Sequence, residues 1–385
     1  MKIKQLDVAG FRSLKDVSWQ PGNLNFVIGP NGTGKSNLLR ALELLSASAQ
    51  GSLSKHILSV GGMGAIVWDG ASPSIHLGLK TSSPENDYDI ELARLGLTSS
   101  GVVQREVFSS KPLGKSDLQP PVIKHIERTN LQFDYAETLV NSLGYIPQEE
   151  TLLSFPFIPT ISNAATQKLR NYLSKLAIHH DLNVSQSSKI RQAVIARSER
   201  QIEPDGQNLV EVLHTLYVGN RDFERDVDLA MRAAFGSVYE KLVIPPDADH
   251  RVQLRIRWKT LNRDSHASEL SDGTLRFLLL IAILATPDPP SLIAIDEPET
   301  GLHPSMFPII AEYAVEASTR TQVVFTTHSP QLLSAFGKNR VTTTITGWEN
   351  GETSLHTLDG EQLDYWLEDY SLGSLFESGQ LEAMA

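Results

Sequence analysis

The chain has 385 residues, a formal net charge of −11 and no cysteine. That length can bury one large core or two moderate ones, and the missing cysteine excludes disulfides, thiolate metal sites and cysteine nucleophiles. The acidic balance argues against a uniformly basic nucleic-acid binder. No apolar signal run opens the chain, and the longest apolar run, 277–285, is too short to span a bilayer; a cytoplasmic protein with no membrane partner is expected.

After short alternating segments, residues 24–28 read as a compact apolar strand ending at Gly29. A glycine-rich turn follows, then a helix over about 34–48 with Leu38, Leu42 and Leu45 on one face. Strand-like alternation in 75–80, 88–95 and 102–108 predicts an antiparallel sheet extending to about residue 135. Residues 151–236 read as mostly helical, broken at Pro156, Pro159 and Pro204-Asp205-Gly206, with amphipathic stretches at 208–217 and 223–235. Residues 252–258 read as one strand carrying Gln253, Arg255, Arg257 and, just beyond it, Lys259 on a basic face.

The remainder reads α/β: helix 273–285, strand 292–295, helix 305–318, strand 322–326. Uninterrupted apolar strands of that kind suit a parallel sheet covered on both faces. No heptad run is long enough for a coiled-coil arm. The expected organisation is an N-terminal lobe over 1–150, a mostly helical lid over 151–265, a second lobe over 266–345 and an acidic C-terminal element over 346–385.

Four clusters carry chemistry. Gly29-Pro30-Asn31-Gly32-Thr33-Gly34-Lys35-Ser36 matches a phosphate-binding loop and lies between a strand and a helix, the context such a loop needs. Its backbone N–H groups and the helix N-terminus favour phosphate; Lys35 would reach the β- and γ-phosphates, and the Ser36 hydroxyl would ligate Mg²⁺. With Asn37, these loop residues are the candidate ATP contacts. The second cluster is the apolar strand ending in Asp296-Glu297-Pro298, which would place Asp296 beside the metal and Glu297 as general base for an attacking water. The third is Leu270-Ser271-Asp272-Gly273-Thr274 ahead of a helix, where Ser271 or Asp272 is equally well read as an N-cap. The fourth is Thr326-Thr327-His328-Ser329-Pro330 directly after a strand, with His328 a candidate contact to the γ-phosphate and the water.

Together the four resemble the ABC-type ATPases, in particular the RecF, SMC and OLD-like branch and its single-domain bacterial AAA-labelled members, some of which act in anti-phage defence. The resemblance covers nearly the whole chain. It implies an α/β P-loop NTPase of ABC type, with an antiparallel β subdomain and a helical lid insertion but no coiled-coil arm. Leu270–Thr274 then resembles the signature motif, Glu299–Pro304 the D-loop and His328 the switch histidine. By the same resemblance, Ser271 and Gly273 of one subunit close over the ATP held by Lys35 of the other, in an ATP-dependent homodimer.

Gly10-Phe11-Arg12-Ser13-Leu14 resembles the start of SMC and RecF-like heads and makes Arg12 a candidate near the nucleotide; a solvated surface arginine is the plainer alternative. Gln148 is the candidate Q-loop ligand toward the metal, with Glu149 and Glu150 as competitors. Compared with the transporter ATPases, the stretch between Ser36 and Leu270 is far longer, which ranks transport last. A protein effector such as a nuclease or toxin is the expected partner. DNA is the second candidate, through the bases Lys168, Arg170, Lys175, Lys189, Arg191, Arg197 and Arg200 and the run Arg251, Arg255, Arg257, Lys259 and Arg263. These bases are otherwise a solvated surface, or pair with the acidic tail.

Overall fold

A computed structural model describes the chain except residues 83–84, 95–98, 112–121, 130–147, 156–161, 247, 338, 359, 368 and 385. Pro156, Pro159 and the far end of the expected antiparallel sheet lie outside the described residues. The chain divides into two compact units: Met1–Gly22, Val27–Leu176 and Thr342–Leu358 form the first, and Asn23–Phe26, Ala177–Val341 and Asp359–Ala385 the second. The stretch 151–265 is thus divided at Leu176, and the acidic stretch 346–385 at Leu358.

In the first unit, β1 (Lys2–Phe11), β2 (Leu14–Trp19), β4 (Ser74–Ser82), β5 (Glu85–Arg94), β6 (Gly101–Lys111) and β7 (Ile123–Thr129) form an antiparallel sheet ordered β2-β1-β4-β5-β6-β7. Its register lines up one apolar residue per strand: Trp19, Leu6, Leu79, Tyr88, Phe108 and Ile126 face one another in sequence, all fully buried. Cross-strand rows of this kind are the unit of sheet stability, and they follow from the alternation in the sequence. The next row ends in a buried charged pair, Glu106 opposite Arg128.

Helix α1 (Lys35–Gln50) buries Leu38, Leu42 and Leu45 as the spacing predicts, and Leu39, Ala41 and Leu44 as well. It is therefore a core helix rather than a one-faced surface helix. β3 (Leu24–Ile28) is buried along its whole length, its start belonging to the second unit and its end to the first. In the first unit, Thr346 Oγ1 donates to Ile28 O at 3.1 Å from the hairpin of β16 (Thr342–Glu349) and β17 (Glu352–Thr357). That hairpin turns at Asn350-Gly351, both with positive φ, the two-residue turn that matches strand twist.

In the second unit, β14 (Leu292–Asp296) pairs in parallel with β15 (Gln322–Thr327), from Leu292 opposite Gln322 to Asp296 opposite Thr326. β8 (Leu176–His179) lies on the far side of β14. The start of β3 adjoins β15, with Val323 N donating to Asn23 O at 2.8 Å, and Phe26 packs on Phe325 and edge-on to Phe336. Helix α2 (Leu209–Gly219), α3 (Arg221–Phe235), α4 (Asp272–Leu284) and α5 (Phe307–Arg320) complete this unit's main helices. α4 is buried from Thr274 to Leu284 except at Arg276. Among the described residues no helix is long and apolar enough to cross a membrane, and the longest helix among them, α1, has 16 residues, so none is a coiled-coil arm.

Two expectations are corrected. The stretch 151–236 is not helical throughout: it is helical at Ala164–Leu173 and again from Leu209, but between them it carries β8, the single-turn Lys189–Arg191 and the two-residue β9 (Val194–Ile195). Its polar side chains instead make local bonds to the backbone, such as Asn183 Oδ1 accepting from Ser185 N at 3.0 Å and Asp205 Oδ1 accepting from Gln207 N at 3.0 Å. Nor is 252–258 one strand. β11 (Arg251–Val252) pairs with β9, whereas β12 (Arg255–Trp258) lies between β10 (Tyr239–Val243) and β13 (Ser265–His266). The chain changes partners at Gln253-Leu254, so alternation continues across a break in the ladder.

Candidate functional site

The glycine-rich turn in the first unit has the backbone of a phosphate cradle. Gly29 and Gly34 have φ of +147° and +100°, a region that favours glycine. A Cβ at Gly29 would strike Thr346, and one at Gly34 would strike Thr353 and Ser13. The hairpin β16–β17 therefore presses on the turn and fixes its path. Thr346 Oγ1 lies 2.5 Å from Thr33 Oγ1, Thr353 Oγ1 donates to Thr33 O at 2.8 Å, and Asn37 Nδ2 donates to Ser13 Oγ at 2.8 Å. Thr346 and Thr353 went unremarked in the sequence because hydroxyls more than 300 residues from the turn leave no local signal; Ser13 stood inside a motif already singled out, but nothing in that motif pointed to the turn.

Gly34 occupies the N-cap of α1 and has no side chain to bond the first-turn N–H groups, and no acidic residue stands in that turn. The helix start is left to bind an anion. The Lys35 ammonium, nearly buried, donates to Gly29 O at 2.8 Å and Pro30 O at 2.9 Å. A Cβ at Gly32 would meet nothing within 4 Å, so there is open space at the crest of the turn. This donor set fits a polyphosphate.

The acidic cluster forms in the second unit at the ends of β14 and β15. Asp296 accepts from the Thr326 hydroxyl, and its second oxygen lies 3.3 Å from His180 Nδ1. Glu297 has φ +46° and its N–H donates to Thr326 at 3.1 Å. Among the described non-glycine residues, positive φ is otherwise confined to Arg12, Asp69, Asp249, His250 and Asn350. Asn, Asp and His tolerate that conformation, so Arg12 and Glu297 are the strained ones. Glu297 Oε1 lies 3.3 Å from His328 Nδ1, and both side chains are well exposed. Behind them Glu299 is nearly buried, accepting from Thr327 Oγ1 at 2.5 Å and from His328 N at 3.4 Å. Burial raises its carboxyl above the usual carboxylate value, against the stabilising Thr327 bond.

Ser271 is the N-cap of α4: its Oγ accepts from Thr274 N at 3.1 Å and meets Thr274 Oγ1 at 2.8 Å. Gly273 lies against the segment Glu299–Pro304, where a Cβ would meet Gly301 O at 2.9 Å. From α4, Arg276 donates to Leu182 O at 3.3 Å and to Glu297 O at 3.4 Å. Burial lowers its guanidinium pKa, while Asp181, Glu299 and Glu297 oppose that shift. Arg191, His180 and Arg276 were not distinguishable as site residues in the sequence; each lies in a stretch whose partners are distant along the chain.

Gln148 lies in a turn where its carbonyl accepts from Val103 N at 2.8 Å and Arg128 Nη2 at 3.3 Å. Glu150 caps the helix Leu53–Ser59 through bonds from Leu53 N and Ser54 N. Arg12, half-buried, lines a shallow pocket with Phe11, Arg40, Glu43, Leu44, His56, Val60 and Ile66. Burial lowers its pKa, helped by the charge of Arg40.

The basic runs are not continuous faces. Lys168, Arg170 and Lys175 belong to the first unit, the later bases to the second. Arg191 is buried, Arg257 is held by Asp264 at 2.7 and 3.1 Å, and Arg263 by Glu269 at 2.8 and 3.0 Å. The acids that hold Arg257 and Arg263 thus follow directly on the same run of sequence, whereas Arg191 takes Asp272.

Comparison with known proteins agrees with this geometry. The family described as "AAA domain, putative AbiEii toxin, Type IV TA system" matches residues 24–334. An OLD nuclease of Thermus scotoductus is 44% identical over 43 residues, 11% of this chain and only 8% of the nuclease. An SMC head bound to the C-winged helix domain of ScpA is similar over 94% of this chain and 99% of its own, with TM-score 0.57 and 12% identity. The SMC head with an extended coiled coil, bound to the C-terminal domain of ScpA derived from Pyrococcus furiosus, covers 96% and 99%, with TM-score 0.59 and 11% identity. At those identities the likeness establishes the fold alone, the mixed α/β fold of the SMC heads, as the resemblance implied.

Proposed function

The chain belongs to that AAA family, and on this premise we propose that it is a Mg²⁺-dependent ATPase switch that dimerises on ATP and passes closure to a separate protein effector. The observation that carries the reading is Glu297: a strained, exposed carboxylate 3.3 Å from His328, directly after Asp296. Residues held in the left-handed region without being Gly, Asn, Asp or His are uncommon and cluster at functional sites.

In this reading Gly29, Asn31, Gly32, Thr33, Gly34 and Asn37 shape the phosphate cradle, and Lys35 exchanges its bonds to the Gly29 and Pro30 carbonyls for phosphate oxygens. Ser36 and Asp296 would hold Mg²⁺, with Gln148 as a further ligand, and the ion would neutralise charge on the phosphates. Glu297 takes the proton of the attacking water, and His328 holds that water and the γ-phosphate. Ser271 and Gly273 act across the dimer on the partner's ATP, and Arg12 stands near the nucleotide. The helix-cap role of Ser271 is compatible with this, because a capped helix start keeps N–H groups for an anion.

The effector is proposed to be a nuclease or toxin, supported by the names of the family and of the OLD match, in a cytoplasmic setting of anti-phage defence or DNA repair. A second reading, direct coupling to DNA, is less favoured because Arg191, Arg257 and Arg263 are already engaged.

The test is Glu297→Gln. It should bind ATP as the parent does, hydrolyse about 10²–10⁴-fold more slowly, and accumulate as a dimer by light scattering. Turnover at the parental rate would remove Glu297 from its role. Ser271→Arg should bind nucleotide yet not hydrolyse it; full activity there would remove the shared site.

A further inference from the structure

Arg191 carries a guanidinium whose side chain is 1% exposed. Nη1 donates to Ala267 O at 3.0 Å and Leu270 O at 2.7 Å, Nε donates to Val184 O at 2.9 Å and Ser185 O at 3.1 Å, and Nη2 bonds the Asp272 carboxylate. The turn that bears it is itself braced: Ser188 Oγ and Lys189 N donate to Gln207 Oε1 at 3.0 and 2.9 Å. One buried cation therefore ties the segment 184–191 to both sides of Ser271, through the carbonyl before it and the carboxylate after it.

Stability alone is a weak reason for such a residue. Burying a guanidinium costs several kcal/mol, and hydrophobic replacements of buried ion pairs are often as stable or more so. What the arrangement supplies is geometry: a rigid planar fork, anchored on the Val184 and Ser185 carbonyls, reaches the Ala267 and Leu270 carbonyls and the Asp272 carboxylate, and so fixes the chain just before and just after Ser271. Asp272 is also where that geometry faces outward, its side chain being 65% exposed. The same segment continues to His180, beside Asp296, and to Leu182 O, which receives Arg276.

We propose that Arg191 is a positioning residue that, through Asp272 and the Leu270 carbonyl, presets Ser271 and Gly273 for the nucleotide of the partner subunit. This rests on the shared-site reading above. It predicts that loosening the clasp harms hydrolysis in the opposite subunit's site and leaves nucleotide binding by the variant's own loop intact.

Two variants of the full chain test it, Arg191→Lys, which keeps the charge and loses the fork, and Asp272→Asn, whose exposed position tolerates substitution if the buried one does not. Each should bind a fluorescent ATP analogue with parental affinity and lose about 10–100-fold in kcat, the scale of a misplaced catalytic group. Mixing either with Lys35→Ala chains should restore activity several-fold above both components, because the variant's intact phosphate loop then meets a parental signature loop. Should these mixtures stay inactive while Ser271→Arg mixed with Lys35→Ala recovers, Arg191 acts only within its own subunit and the proposal falls alone. If no mixture recovers and Ser271→Arg is fully active by itself, the shared site fails and takes the proposal with it. Parental kcat in both Arg191→Lys and Asp272→Asn would also overturn it.

Discussion

At Gly34 two independent constraints exclude a side chain: φ is +100°, and a Cβ would overlap Thr353 and Ser13. Gly32, two residues earlier, has only the first constraint, with φ +84° and open space around it. The two glycines look equivalent in the motif, and the hairpin that separates them lies more than 300 residues away in the chain. Gly32→Ala should therefore cost about 1 kcal/mol of stability, the left-handed penalty. Gly34→Ala should cost about 3 kcal/mol or more, adding overpacking against Thr353 and loss of its bond to Thr33 O. Thermal unfolding of the two variants without nucleotide measures the difference; equal losses would mean that the hairpin does not brace the turn.

At the scale of elements, legibility tracked how local the determinants were. The phosphate turn, α1, β14 and β15 were readable because their apolar spacing, glycines and terminal acids lie within a few residues of each other. β8 was not: Leu176–His179 is short, half of it is histidine or alanine, and only the neighbouring strand β14 makes it a sheet member. The break at Gln253-Leu254 was hidden for a related reason, since alternation records which face a residue takes and not which strand it pairs with. β8 also carries a measurable signature. His179 at its end is buried, bonds Pro204 O at 3.1 Å, and has its pKa lowered by burial to about 4. Its unfolded value is 6.5. Between these values the unfolded chain binds the extra proton, so the contribution of neutral His179 is complete above pH 6.5 and lost as pH falls toward 4. The span corresponds to roughly 3 kcal/mol at most. His179→Gln, which keeps a donor for Pro204 O, should lose less melting temperature than the parent between pH 7 and pH 5; parallel pH profiles would show that His179 titrates normally.

For the whole molecule the question left by charge is whether the basic runs serve a polyanion. Sequence counts every arginine alike, but several already have partners: Arg191 is bonded to Leu270 O and the Asp272 carboxylate, Arg257 is clasped by Asp264, Arg263 by Glu269, and Arg200 lies near Asp288. The bidentate arginine–carboxylate pairs at Arg257 and Arg263 already engage a carboxylate through two N–H groups each, and exposed bases such as Lys168 and Lys189 are assigned to different units. Binding duplex DNA with useful affinity takes several phosphate contacts, each adding nearly one unit to the slope of log affinity against log salt. A net charge of −11 opposes that further. Duplex DNA should accordingly leave the ATPase rate unchanged within about twofold at physiological ionic strength, where exposed charges are screened beyond about 8 Å. The measurement is hydrolysis with and without a short duplex, repeated across a salt series. Stimulation that is strong at low salt and falls steeply as salt rises would instead assign the exposed lysines to DNA, and the effector would then be acting on a nucleic acid this chain already holds.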